Sequence, residues 1–173
     1  MTNIIIGNVI AFVASILMVY SGVLKEKKKI LYMQNIQIGL SSIGNLILGG
    51  INGAIINTLG CIKNILYYKD KLRFKEKIII TIIATILSFI FNNSGIIGLL
   101  PLVNTIFYMW LMNENDIIKF KALIIFTALL WLIYDFSIKS YVSSIFNFMY
   151  IIANIISIIQ IVKQNKEKKE RKI

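Results

Sequence analysis

Histidine is absent from this chain, and cysteine and proline occur once each, as Cys61 and Pro101. A single cysteine excludes a disulfide within the chain. The lack of histidine excludes a histidine-based catalytic triad or metal site. Acidic residues are scarce as well: 8 Asp+Glu stand against 19 Lys+Arg, a formal charge of +11. Charged residues make up only 16% of the chain, where an ordinary soluble domain carries about 25%. Hydrophobic residues reach 57%, against roughly 45–50% in soluble domains. Over 173 residues, these figures describe one domain of the membrane class, facing lipid or packed inside a helix bundle. In a soluble protein the positive charge would point to nucleic acid. Here it falls in short blocks between apolar runs, so the lipid bilayer is the expected partner and nucleic acid is not.

A helix of about 20 apolar residues crosses a bilayer. Seven segments are candidate spans: 4–24, 31–49, 51–68, 78–92, 96–112, 118–138 and 140–163. The opening "MTN" has no basic side chain, and the run after it is too long for a secretory signal, so the first span is read as a retained helix. The fourth and fifth spans are short and divided only by "NNSG" (92–95), a polar turn signal. Charge placement keeps them separate. Seventeen of the 19 basic residues fall between Lys25 and Lys29, between Lys69 and Lys77, at Lys119 and Lys121, and between Lys163 and Lys172. These blocks follow the first, third, fifth and seventh spans, and the other connections are nearly bare. The alternation puts the N-terminus outside and the C-terminus in the cytoplasm.

Shifting the sequence by 90 residues against itself brings Asn57 onto Asn147 and Asn64 onto Asn154 without a gap. Asn45 then meets Asp135, Gly53-Ala54 meets Ser143-Ser144, and Glu26 meets Asp116. The copies are 4–68 and 96–163, with 78–92 as an unpaired linker helix and 164–173 as a basic tail that anionic lipids would attract. An extra helix between two three-helix units keeps both copies in the same direction. The expected architecture is therefore an all-α integral membrane bundle of seven helices, a parallel 3+1+3 repeat.

Residues seven apart lie on nearly the same helix face. Asn57 and Asn64 share one face of the third span, and Asn147 and Asn154 share one of the seventh. With Asn45 and Asp135 near the outer ends, the set forms polar pairs at three depths, expected to bind a solute or to line its path. Polar side chains in hydrocarbon normally face a bundle interior or water. The bland reading is that each asparagine ties helices together by amide hydrogen bonds. Asp135, the only acid well inside a span, has Lys139 four residues on as a pairing partner. Lys63 can extend its stem toward the cytoplasmic interface, or contact an anion or lipid headgroup. Pro101 within the fifth span is a candidate kink or gating hinge. "GGING" (49–53) reads as a tight turn. No pair of intramembrane carboxylates and no nucleophile with its base are visible, so neither an enzyme nor a cofactor or metal site is expected.

Three stretches, "GAIINTLGCIKNILY" (53–67), "LLPLVNTIFYMWL" (99–111) and "LLWLIYDFSIKSYVSSIFNFMYIIANIISI" (129–158), resemble the YgjV family of bacterial inner-membrane proteins over nearly the whole chain. The most specific element is Asn57 followed by Lys63-Asn64, where that family usually has Arg-Asn. The resemblance implies an inner-membrane location. The 3+1+3 layout is also similar, more distantly, to the SWEET and PQ-loop transporters, although their Pro-Gln signature is missing. That similarity implies solute contact at Asn57 and Asn147. A small-solute transporter is the leading expectation. The alternative is a non-transporting membrane scaffold, or a regulatory protein that binds lipid or protein.

Overall fold

The computed structural model describes residues 2–170, and no strand occurs among them. Seven α-helices follow one another: α1 (Thr2–Val23), α2 (Lys27–Ile47), α3 (Ile51–Tyr68), α4 (Phe74–Phe91), α5 (Leu100–Leu111), α6 (Ile117–Ser137) and α7 (Tyr141–Glu170). A short 3-10 turn, Ile97–Leu99, leads into α5. Each apolar segment read from the sequence overlaps one α-helix. The segment 164–170, expected as a separate tail, continues α7, because nothing in "QNKEKKE" stops a helix. The rest of that tail, 171–173, lies outside the described residues.

Three helices are long and apolar enough to cross a membrane by hydropathy: Thr2–Val23, Ile117–Ser137 and the part of α7 from Tyr141 to Glu167. The other four fall short for separate reasons. Helix α2 opens on three lysines and carries Gln34, Asn35, Gln37 and Asn45, while α3 carries Asn52, Asn57, Lys63 and Asn64. Helix α4 has Lys75, Glu76 and Lys77 in its first turn. Helix α5 has 12 residues, about 18 Å at the usual helical rise, against about 30 Å of hydrocarbon.

Pro101 sits in the first turn of α5. The expected mid-helix kink is not present. A proline at a helix start lacks only an N–H that would have no intrahelical partner, so Pro101 begins the helix instead of bending it.

Six helices close a ring. Each packs on the next in the order α1, α2, α3, α5, α6, α7, and α7 returns to α1. Helix α4 lies outside, against α3 and α5. The main core, with Met18, Ile30, Leu31, Tyr108, Met109 and Phe120, fills the end of the ring near the lysine-rich connections. A smaller core of Ile56, Ala84 and Leu102 seats α4. Large apolar side chains such as Ile82, Ile86, Phe89 and Ile90 cover the outside of α4 and are exposed.

The α2–α3 and α6–α7 turns share one backbone design. Gly49 (φ 82°) and Lys139 (φ 61°) are both left-handed. In the first turn Gly49 N donates to Leu46 O and Gly50 N to Asn45 O. In the second, Lys139 N donates to Phe136 O and Ser140 N to Asp135 O. This is the Schellman ending, which satisfies the last helical carbonyls. Glycine adopts the left-handed conformation freely, whereas a lysine there costs roughly 1–2 kcal/mol.

Candidate functional site

One cavity of about 90 Å³ occupies the centre of the ring. A single water needs roughly 10–15 Å³ by the same measure, so this space holds several waters or a small polar solute. Its wall takes side chains from all six ring helices, among them Ser15, Gln37, Asn45, Asn57, Lys63, Asn104, Thr127, Asp135 and Asn147. The helices bring these groups together because each has one polar stripe, and in a ring surrounded by apolar surface the stripes can only face inward.

Near the α2–α3 and α6–α7 turns, Asn147 Nδ2 donates to Asp135 Oδ2 at 2.8 Å. Asp135 forms no ion pair among the described residues. The expected pairing with Lys139 fails for a geometric reason. Lys139 lies past the end of α6 in the left-handed conformation, so the helical spacing of four no longer places the two side chains together. Asn45 and Asn57 line the same cavity and are buried, yet neither side chain hydrogen-bonds to a described residue. At this end Tyr134 accepts a 3.0 Å bond from Gly53 N, tying α6 to the start of α3.

Toward the lysine-rich end the wall is a hydrogen-bonded network. Tyr108 Oη donates to Gln34 Oε1 at 2.7 Å, and Gln34 Nε2 donates to Tyr150 Oη at 2.9 Å. Ser21 Oγ reaches the same Tyr150 hydroxyl at 3.2 Å. Lys63 Nζ lies 4.1 Å from the centre of the Tyr108 ring. Its side chain does not extend to the interface as expected: Lys63 is only 4% exposed and lines the cavity. Its helix position turns it inward, and the face of the tyrosine ring, negative in its quadrupole, attracts the ammonium there.

The remaining two asparagines do not line the cavity. Asn154 is fully buried, donating to Tyr150 O at 2.9 Å and accepting from Lys121 Nζ at 3.3 Å. Lys121 also donates to Gly22 O at 2.7 Å, so one ammonium holds the last turn of α1 to α6 and α7. A cation beside a helix C-terminus also complements its dipole. Lys121, read from the sequence as part of a connection, is therefore an interior residue. Asn64 is buried with neither side-chain polar atom bonded. Thus Asn45, Asn57, Asn147, Asp135 and Lys63 meet in one cavity, while Asn64 and Asn154 lie beyond it.

Sequence reasoning missed Gln34, Asn104, Tyr108 and Thr127. Asn104 lies in the fifth span, and its Oδ1 is buried without a partner. A search for every polar side chain within the spans would have found it. The 90-residue shift did not, because Ala14 is its counterpart.

A ring of apolar-coated helices around a polar cavity defines a helical membrane protein. A sequence profile of the Imp-YgjV family, described as a bacterial inner membrane protein, matches residues 5–165. The chain belongs to that family. No curated protein and no solved structure matches it.

Proposed function

We propose that this protein is a small-solute transporter of the bacterial inner membrane, with its solute site in the central cavity between two parallel three-helix repeats. All seven helices enter the membrane in this reading, with the N-terminus outside and α4 linking α1–α3 to α5–α7. The observation that carries it is the cavity itself: Asn57 and Asn147, at matching places in the two repeats, enter it from α3 and α7. The helix contacts support the repeat. The ring closes through α1 on α7 and through α3 on α5, and these pairs exchange when the chain is shifted by one repeat. Hydrogen bonds also join the corresponding positions: Asn52 Nδ2 donates to Gly98 O in the turn before α5, and Val142 N donates to Asn8 Oδ1 between α7 and α1. Rocking of one repeat against the other would expose the cavity to each side in turn.

A thermal-shift screen of the purified protein against sugars, amino acids, nucleosides, vitamins and organic acids tests the reading. It is repeated on the Asn57→Ala/Asn147→Ala double variant, and uptake of any hit is measured in proteoliposomes. The expected hit stabilises the native protein, is taken up, and does neither with the double variant. Full uptake by a folded, inserted double variant would overturn the site. If the double variant instead loses stability without any effect on a ligand, the asparagines serve as helix glue in a non-transporting scaffold.

A further inference from the structure

The cavity wall contains one basic and one acidic side chain, Lys63 and Asp135. Asp135 has Asn147 as a donor. Lys63 has no comparable partner. No carboxylate of the described residues lies within ion-pair distance, and no described acceptor receives a hydrogen bond from its ammonium. Its ammonium lies over the face of Tyr108, whose hydroxyl donates to Gln34. A buried ammonium needs an opposite charge or several acceptors. The described residues provide neither, and leave the group facing a cavity with room for a small solute.

We propose that Lys63 is the counterion for a carboxylate carried by the cavity solute; this rests on the transporter reading above. The solute's negative end lies against Lys63 and Tyr108. Its remaining polar atoms extend toward Asn104 and Asn57, whose amides supply donors and acceptors. Asn57 is six residues from Lys63 along α3, about 9 Å at the helical rise. Asp135 lies at the Asn147 end, so like charges are kept apart. The rest of the wall offers amides and hydroxyls, which suit hydroxyl or carbonyl groups on the same molecule.

Acetate, lactate and succinate, each beside its neutral amide, provide the test by thermal shift and calorimetric titration. The proteins are the wild type, Lys63→Gln, Lys63→Arg and Asn57→Ala/Asn147→Ala. At least one carboxylate should stabilise the wild type while its amide does not. Lys63→Gln should bind it at least tenfold more weakly, and Lys63→Arg should retain most of the affinity. The inference is overturned if no carboxylate binds, if the amide binds as well as the acid, or if Lys63→Gln keeps full affinity. Should Lys63→Gln fail to fold, the acid-against-amide comparison on the wild type and on Lys63→Arg still decides. The same titration in phosphatidylglycerol and phosphatidylcholine nanodiscs separates a free solute from a lipid headgroup. Binding abolished only by phosphatidylglycerol would make the headgroup the occupant and overturn the proposal. Neutral ligands that need Asn57 and Asn147 but not Lys63 would overturn this inference and leave the transporter reading standing. Lys63-dependent carboxylate binding without flux would do the reverse.

Discussion

Asn147 donates a 2.8 Å hydrogen bond to Asp135, whereas Asn57 and Asn45, their counterparts 90 residues earlier in the chain, share none. The same two positions are thus closed in one half of the ring and open in the other. Removing the donor to a buried acceptor costs roughly 1–3 kcal/mol. Asn147→Ala should lower stability by about that amount, and Asn57→Ala by clearly less. In an Asp135→Leu background the cost of Asn147→Ala should shrink, since the acceptor it would orphan is gone. Thermal melts of the four proteins in this double-mutant cycle give the coupling directly.

Lys139 occupies the left-handed position that Gly49 fills in the equivalent turn. Lys139→Gly should therefore stabilise the protein by about 0.5–1 kcal/mol, the relief of left-handed strain less the extra chain entropy of glycine. Gly49→Ala should cost a similar amount, although no atom lies within 4 Å of the added methyl. A lower melting temperature for Lys139→Gly would contradict the assignment of that turn.

Two glycines of α3 separate packing from propensity. A methyl on Gly53 would meet Tyr134 at 2.6 and 2.7 Å, while one on Gly60 would meet only Ile38 Cγ2 at 3.6 Å. Gly53→Ala should destabilise by about 1–3 kcal/mol through overpacking. Gly60→Ala should be neutral or stabilising by up to about 1 kcal/mol, the helix-propensity gain of alanine. Melting curves of the two variants, read side by side, check the order.

Lys121 and Asn154 belong to stability. Lys121→Met removes the donor to Gly22 O and leaves Asn154 Oδ1 without its partner, an expected loss of about 1–3 kcal/mol. Asn154→Ala should likewise lower the melting temperature while leaving the affinity of any cavity ligand unchanged. A pure binding defect in a normally stable Asn154→Ala protein would return that residue to the site.

The sequence alone determined the helices, their turns and part of the cavity wall, namely Asn45, Asn57, Lys63, Asp135 and Asn147. Span lengths follow from apolar runs, and "GGING" and "NNSG" break those runs with residues that favour turns. Seven-residue spacing correctly put Asn57 on an inward face. The same spacing applied equally to Asn64 and to Asn154, which are buried but lie outside the cavity, because a face fixes direction but not where open space lies. The cavity is bounded toward the lysine-rich end by the Gln34–Tyr108–Tyr150 network, whose members lie on three helices far apart in the chain. Only their packing decided where open space stops. The roles of the lysines were decided in the same way. Lys63 and Lys121 are indistinguishable in sequence from residues that extend to an interface. One meets the face of Tyr108 and the other the carbonyl of Gly22, contacts that exist only once α3 lies against α5 and both α6 and α1 lie against α7. A local pattern specifies a helix and its polar stripe, but the partner across the bundle determines what each polar group on that stripe does.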